Sequence, residues 1–139
     1  MDAVLDRLLA LWTEPVAEWP DAVERFGEVY ADPVVVNGSA MRLAALVERA
    51  RTVRRTYADL TMDEVHRMAD GDKLAVAFVM VGRHTGPLAT AMGEVAPTGR
   101  RVRIRVTDIL TVADGRVVDI WMIADELDLL RQLDAVTLR

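Results

Sequence analysis

Near residue 57 the apolar period of this 139-residue chain changes from 3.6 to 2, and that switch restricts the fold more than any other feature. Upstream, Val4, Leu5, Leu8, Leu9, Leu11 and Trp12 make one helical stripe that predicts a helix ending before Pro15. Trp19-Pro20-Asp21 opens a second helix with Val23, Phe26 and Val29 inward, and Val34-Val35-Val36-Asn37-Gly38 is a short strand closed by a turn. Residues 41–57 repeat Leu43, Leu46, Val47, Ala50 and Val53 at helical spacing.

Downstream, Leu60, Met62, Glu64, His66 and Met68 alternate with Thr61, Asp63, Val65 and Arg67 before the Asp70-Gly71-Asp72 turn. Leu74–Val81 is apolar on both faces, as in a strand covered on two sides. Val102, Ile104, Val106, Asp108 and Leu110 take one face of the next strand while Arg101, Arg103, Arg105 and Thr107 take the other. A turn at Ala113-Asp114-Gly115 leads into Arg116–Ile123, and Asp125 caps a last helix carrying Leu127, Leu129, Leu130 and Leu133. Helices grouped against four long antiparallel strands predict one α+β domain over residues 1–139.

Composition narrows the chemistry. The chain has no cysteine, which removes disulfides, thiolate metal sites and a cysteine nucleophile and fits a cytoplasmic protein. Its 17 cations are arginines except Lys73, and the net charge of -5 argues against a nucleic-acid footprint. No apolar stretch approaches the roughly 20 residues that span a bilayer. No glycine-rich phosphate loop is present, and two histidines on separate strands do not make a zinc site, so the expectation is no cofactor and no metal.

Three segments, Gly82-Arg83-His84-Thr85-Gly86, Pro97-Thr98-Gly99-Arg100-Arg101-Val102 and Asp114 to Trp121 followed by Asp125 and Leu129–Leu133, resemble the SnoaL-like polyketide cyclase (ester cyclase) family. That family lies within the nuclear transport factor 2-like superfamily, with ketosteroid isomerase and limonene epoxide hydrolase. The resemblance covers about residues 24–135 and implies a cone, or α+β barrel, in which a curved antiparallel sheet wraps N-terminal helices around a pocket. It also implies a homodimer through the other sheet face, consistent with the two-sided apolar strands at 74–81 and 117–123. Cyclases of the family usually carry a polar residue after the tryptophan of the last strand, where this chain has Met122; Ile120 and Phe78 likewise stand at family positions often polar, so the expected pocket is apolar.

Within that frame Asp108 is the leading candidate, because alternation aims its carboxyl at apolar neighbours, which disfavours the charge and tunes it for proton transfer. His84 matches the family's G-x-H-x-G histidine and either shuttles protons or pins the following loop. Asp125 aligns with the family aspartate four residues after the tryptophan and also suits a helix N-cap. Glu64 and His66 share a face by their two-residue offset, with Asn37 the polar group set to meet them. Phe78, Met80, Met92, Trp121 and Met122 complete an aromatic and methionine set suited to an irregular ligand.

The expected function is cofactor-independent cyclisation or isomerisation of an apolar, oxygenated small molecule, with Asp108 transferring the proton and His84, Asn37 or Asp125 assisting. Two alternatives stay open: epoxide opening or ether-forming cyclisation by Glu64 with Asp108, and a non-catalytic ligand-binding dimeric module.

Overall fold

A computed structural model describes residues 1–15 and 21–139; the expected helix start at Trp19-Pro20 lies outside the described residues. The elements run α1 (Asp2–Thr13), α2 (Asp21–Gly27), β1 (Tyr30–Val36), β2 (Ser39–Met41), α3 (Leu43–Thr56), β3 (Tyr57–Asp70), β4 (Lys73–His84), β5 (Leu88–Thr90), β6 (Gly93–Val95), β7 (Arg101–Ala113), β8 (Arg116–Ala124) and α4 (Glu126–Gln132). The period switch falls at the α3–β3 junction. Helices therefore precede the long strands, as the α+β reading requires.

Six strands form one curved sheet in the order β2-β1-β8-β7-β4-β3, and β5 and β6 form a separate hairpin. The sheet is mixed where an antiparallel one was expected: β1 runs parallel to β8, pairing Val35 with Asp119 and Val36 with Ile120. A parallel neighbour needs a long crossover. Here everything between the two strands, α3 and the β3–β7 meander included, supplies it. The sheet has free edges at β2 and β3, so it is an open cone and not a closed barrel.

The inner face of β7 shows how the cone fills. Val102, Ile104, Val106, Asp108 and Leu110 are buried, and the residues alternating with them are exposed. Facing them, α1 contributes Leu5 and Leu8, and α3 contributes Leu46 and Val47. Each such aliphatic side chain is worth roughly 1.5–3 kcal/mol on burial. Phe26 of α2 stacks on Tyr30 at 6.0 Å and meets Trp12 edge-on at 6.2 Å, tying both N-terminal helices to the first strand.

Strand β3 departs from simple alternation at two bulges. Its register against β4 slips between Ala58 and Thr61, where Asp59 takes φ 53°, and again between Glu64 and His66. The second slip corrects the expectation that Glu64 and His66 share a face. Glu64 pairs with Phe78 and His66 with Ala77, which are consecutive residues of β4 on opposite faces. Strand β4 is covered on both faces only at its far end: Leu74, Val76 and Phe78 are buried on the inner face, and on the outer face Ala75, Ala77 and Val79 are half-exposed while Val81 is buried.

Candidate active site

Between α1, α3 and the inner sheet face lies a cavity of about 320 Å³. Its walls are apolar, with Leu8, Phe78, Met80, Ile104, Val106 and Met122 among them, and Leu88 and Ala89 of the β5–β6 hairpin line it as well. Polar groups are few: Asp108, Tyr30 and Trp12 line it together with Arg49, Tyr57 and Glu126. Arg49 and Glu126 are exposed.

Asp108 stands mid-strand, paired with Val76 of β4 on one side and Met122 of β8 on the other, with only 6% of its surface exposed. Its Oδ1 has no hydrogen-bond partner among the described residues. Burial removes the water that would stabilise the anion, and the carboxyl pKa is pushed up to about 7. A carboxyl with that poise gives and takes a proton near neutral pH.

Tyr30 enters at the start of β1, nearly fully buried, and its hydroxyl accepts the indole N–H of Trp12 at 2.7 Å. Burial chiefly, opposed by the Trp12 hydrogen bond and reinforced by the nearby Asp108 charge, raises its pKa above the ordinary phenol value. Tyr57, buried and facing Glu126, is pushed up to about 12. Both phenols therefore keep their protons. The sequence reading passed over Tyr30 and took Trp12 as part of an apolar stripe. Tyrosine and tryptophan carry a polar tip that must find a partner when buried, and that was the available signal.

His84 is fully buried but lies outside the cavity lining. The Thr98 backbone N–H donates to its Nδ1 at 3.2 Å, and the Thr98 hydroxyl lies 3.0 Å from the same nitrogen. A ring nitrogen that accepts a backbone N–H is unprotonated, so in the neutral ring Nε2 carries the hydrogen. That atom has no partner among the described residues, and the ring leans on Tyr57. The backbone of His84 clasps the same loop, donating to Arg100 O and accepting from Gly99 N. Beside it Gly86 packs so tightly on α3 that an added Cβ would lie 2.0 Å from Arg55 O.

The remaining candidates sit elsewhere. Asp125 is the N-cap of α4, accepting from Asp128 N through Oδ1 and from Arg105 through Oδ2. Asn37, exposed and at φ 48°, accepts the Met122 N–H at 2.7 Å and so extends the β1–β8 ladder past its last strand residue. Glu64 is bound to Arg67, which also holds Asp2 and Asp6 of α1. His66 is exposed on the outer face. Met92, 75% exposed, is at the hairpin turn, and Trp121, half-exposed, pairs with Ile109 on the outer face because its neighbours Ile120 and Met122 take the inner one. Of the eleven expected site residues, the structure thus gathers Asp108, Phe78, Met80 and Met122 at one cavity. Among the described residues no group of three or more histidines and carboxylates is placed to hold a metal ion.

The family model described as SnoaL-like polyketide cyclase matches residues 3–133. The chain belongs to the SnoaL-like polyketide cyclase family. No curated protein matches it. Among solved structures it is similar to TsrD from Streptomyces laurentii, at 23% identity over 97% of this chain and 95% of that one, with a TM-score of 0.81. It is similar also to wild-type IdmH from Streptomyces antibioticus, at 21% identity over 96% and 97% with a TM-score of 0.74. A SnoaL-like polyketide cyclase from Agrobacterium tumefaciens, at 18% identity over 94% and 97%, gives 0.73. At these identities the likeness establishes the nuclear transport factor 2-like fold. In this SnoaL-like chain the residue after the last-strand tryptophan is Met122, which pairs with Asp108 across β7 and β8 and lines the same cavity.

Proposed function

We propose that this SnoaL-like protein catalyses cyclisation or isomerisation of an apolar, oxygenated small molecule by acid/base chemistry, with Asp108 as the proton-transfer group. The observation that carries the reading is a buried carboxylate oxygen, without a partner among the described residues, at the wall of an apolar cavity. An unpaired buried charge is costly, and a protein that keeps one beside a cavity has a use for its proton. A carboxyl directed to bulk solvent would have favoured a plain ligand carrier; Asp108 is instead 6% exposed. The epoxide-opening alternative pairs Glu64 with Asp108, whereas Glu64 is engaged by Arg67 and does not line the cavity.

Turnover of an aromatic poly-β-keto ester by the Asp108→Asn variant tests the proposal. General acid/base groups contribute about 10²–10⁴-fold, so a loss of that size is expected. Retention of near-wild-type rate sinks it.

The reading includes a homodimer. Ile109, Trp121 and Ile123 are exposed on the outer sheet face beside half-exposed Ala75, Ala77 and Val79, an apolar surface that a second copy would cover. Light scattering at micromolar concentration is expected to give twice the chain mass, and Trp121→Arg to halve it. A wild-type monomer would overturn this part.

A further inference from the structure

The mouth of the cavity carries a positive charge that the fold leaves unengaged. Among the lining residues Arg49, Ala89, Met122, Ala124 and Glu126 are exposed, whereas Asp108 and Tyr30 are buried. The cavity therefore opens between α3, the β5–β6 hairpin and the junction of β8 with α4. Leu46, Arg49 and Val53 all line it, and their spacing of three and four residues puts them on one stripe of α3. Neighbouring arginines are engaged within the chain: Arg42 holds Asp32, Arg51 and Arg55 hold Glu48, and Arg54 donates to Thr13 O at 2.6 Å. The Arg49 side chain has no hydrogen bond or ion pair among the described residues.

Glu126, the acidic residue at the mouth, makes no ion pair with Arg49 among the described residues. Its charge is already accommodated in the first turn of α4, where free backbone N–H groups favour a carboxylate. A guanidinium in mid-helix has no such compensation. It presents a planar fork of donors to a site whose other walls are largely apolar, and a carboxylate matches that fork. A phosphate would bring a second negative charge, for which the described lining offers no second cation and only the repelling Glu126. We infer that Arg49 is a substrate-binding residue that selects a carboxylate, so that the cavity takes an apolar, oxygenated body ending in a carboxylate at the mouth. The inference deepens the acid/base reading and rests on it for what happens at the buried end. Together the two charges fix how the ligand enters, with its carboxylate outward at Arg49, away from Glu126, and its apolar body toward Asp108. The reverse orientation would strand a carboxylate among apolar walls beside the Asp108 carboxyl, which is costly.

Calorimetric affinity of the full chain for 2-naphthylacetate against 2-naphthylacetamide, the same body without the charge, tests this at neutral pH. The wild type is expected to favour the carboxylate by about threefold to tenfold at low salt, the scale of one charge-assisted contact at a wet rim, and added salt shrinks the ratio. Arg49→Gln, at an exposed helix position that glutamine suits, erases the ratio while amide binding stays, which shows the cavity intact. Arg49→Lys retains part of it, because a point charge replaces the fork. Glu126→Gln raises carboxylate affinity and leaves that of the amide unchanged. A wild type that binds the two alike or binds neither, or an Arg49→Gln variant that keeps the ratio, overturns the inference. Asp108→Asn separates this claim from the one beneath it, since it is expected to keep the carboxylate preference whatever it does to turnover. Loss of the preference in that variant overturns the assignment to Arg49. Near-wild-type turnover with the preference kept defeats the acid/base reading and leaves the Arg49 contact standing.

Discussion

Two buried polar side chains, Asp108 and His84, each leave one atom without a partner among the described residues, yet their surroundings differ. Asp108 Oδ1 belongs to a cavity wall, while His84 is sealed outside that cavity, with its other nitrogen held by Thr98 and its backbone clasped to Gly99 and Arg100. Burial alone does not make a reactive group. A carboxyl that a substrate can reach is poised for proton transfer, whereas an imidazole enclosed by its own loop holds two chain segments together.

The largest test of this contrast is Asp108→Asn, which should cost activity far more than it costs stability. Its effect on stability even has the opposite sign above neutral pH. The folded carboxyl titrates at about 7 and its ordinary value is 3.8. Below pH 4 both folded and unfolded chains hold the proton, so the group is neutral toward folding. Between pH 4 and 7 the unfolded chain loses the proton first, and the wild type is progressively destabilised, to a ceiling of about 4 kcal/mol above pH 7. Asparagine does not titrate. Denaturant melts should therefore show Asp108→Asn gaining on the wild type as pH rises from 4 to 8, and parallel curves would contradict the dry setting of the carboxyl.

His84→Ala should behave in the opposite way. It deletes a fully buried ring and orphans the Thr98 N–H, so a loss of about 2–4 kcal/mol is expected, the range for large-to-small changes with a lost hydrogen bond. Turnover per folded molecule should fall less than tenfold. If it falls as far as in Asp108→Asn, the distinction between the two buried groups collapses and His84 returns to the chemistry.

The same contrast explains what was legible in the sequence. Strict alternation along β7 placed Asp108 inward from the sequence alone, because the strand keeps period 2 from Arg101 to Leu110 and its register against β8 slips only beyond that, between Thr111 and Val112. The identical argument failed on β3, where a slip at Val65 turned Glu64 and His66 to opposite faces. Bulges depend on the partner strand and leave little local mark. The parallel β1–β8 pairing joins segments some 80 residues apart, and the Trp12–Tyr30 contact bridges a helix and a strand. Neither is written in a period. Family motifs located the loop around His84 and the cap at Asp125, but a motif names a position without saying whether its side chain meets ligand or backbone.

Glu64 is where the smallest effect should appear, and it is the point at which the bulge has a functional consequence. Without the slip it would have remained on one face with His66; with it, the carboxylate is drawn to Arg67, which bridges to Asp2 and Asp6 and so fastens β3 to α1. The carboxylates of this network are partly exposed, and each such pair contributes about 0.2–1 kcal/mol. Glu64→Gln should therefore lower stability by no more than that amount, more at low salt than at high, because screening weakens the network in the wild type. Turnover should be unchanged, since proton transfer is assigned to a carboxyl that Glu64 does not touch. A fall of tenfold or more would mean that Glu64 leaves Arg67 when substrate binds, and it would return the two-carboxyl, epoxide-opening chemistry to first place.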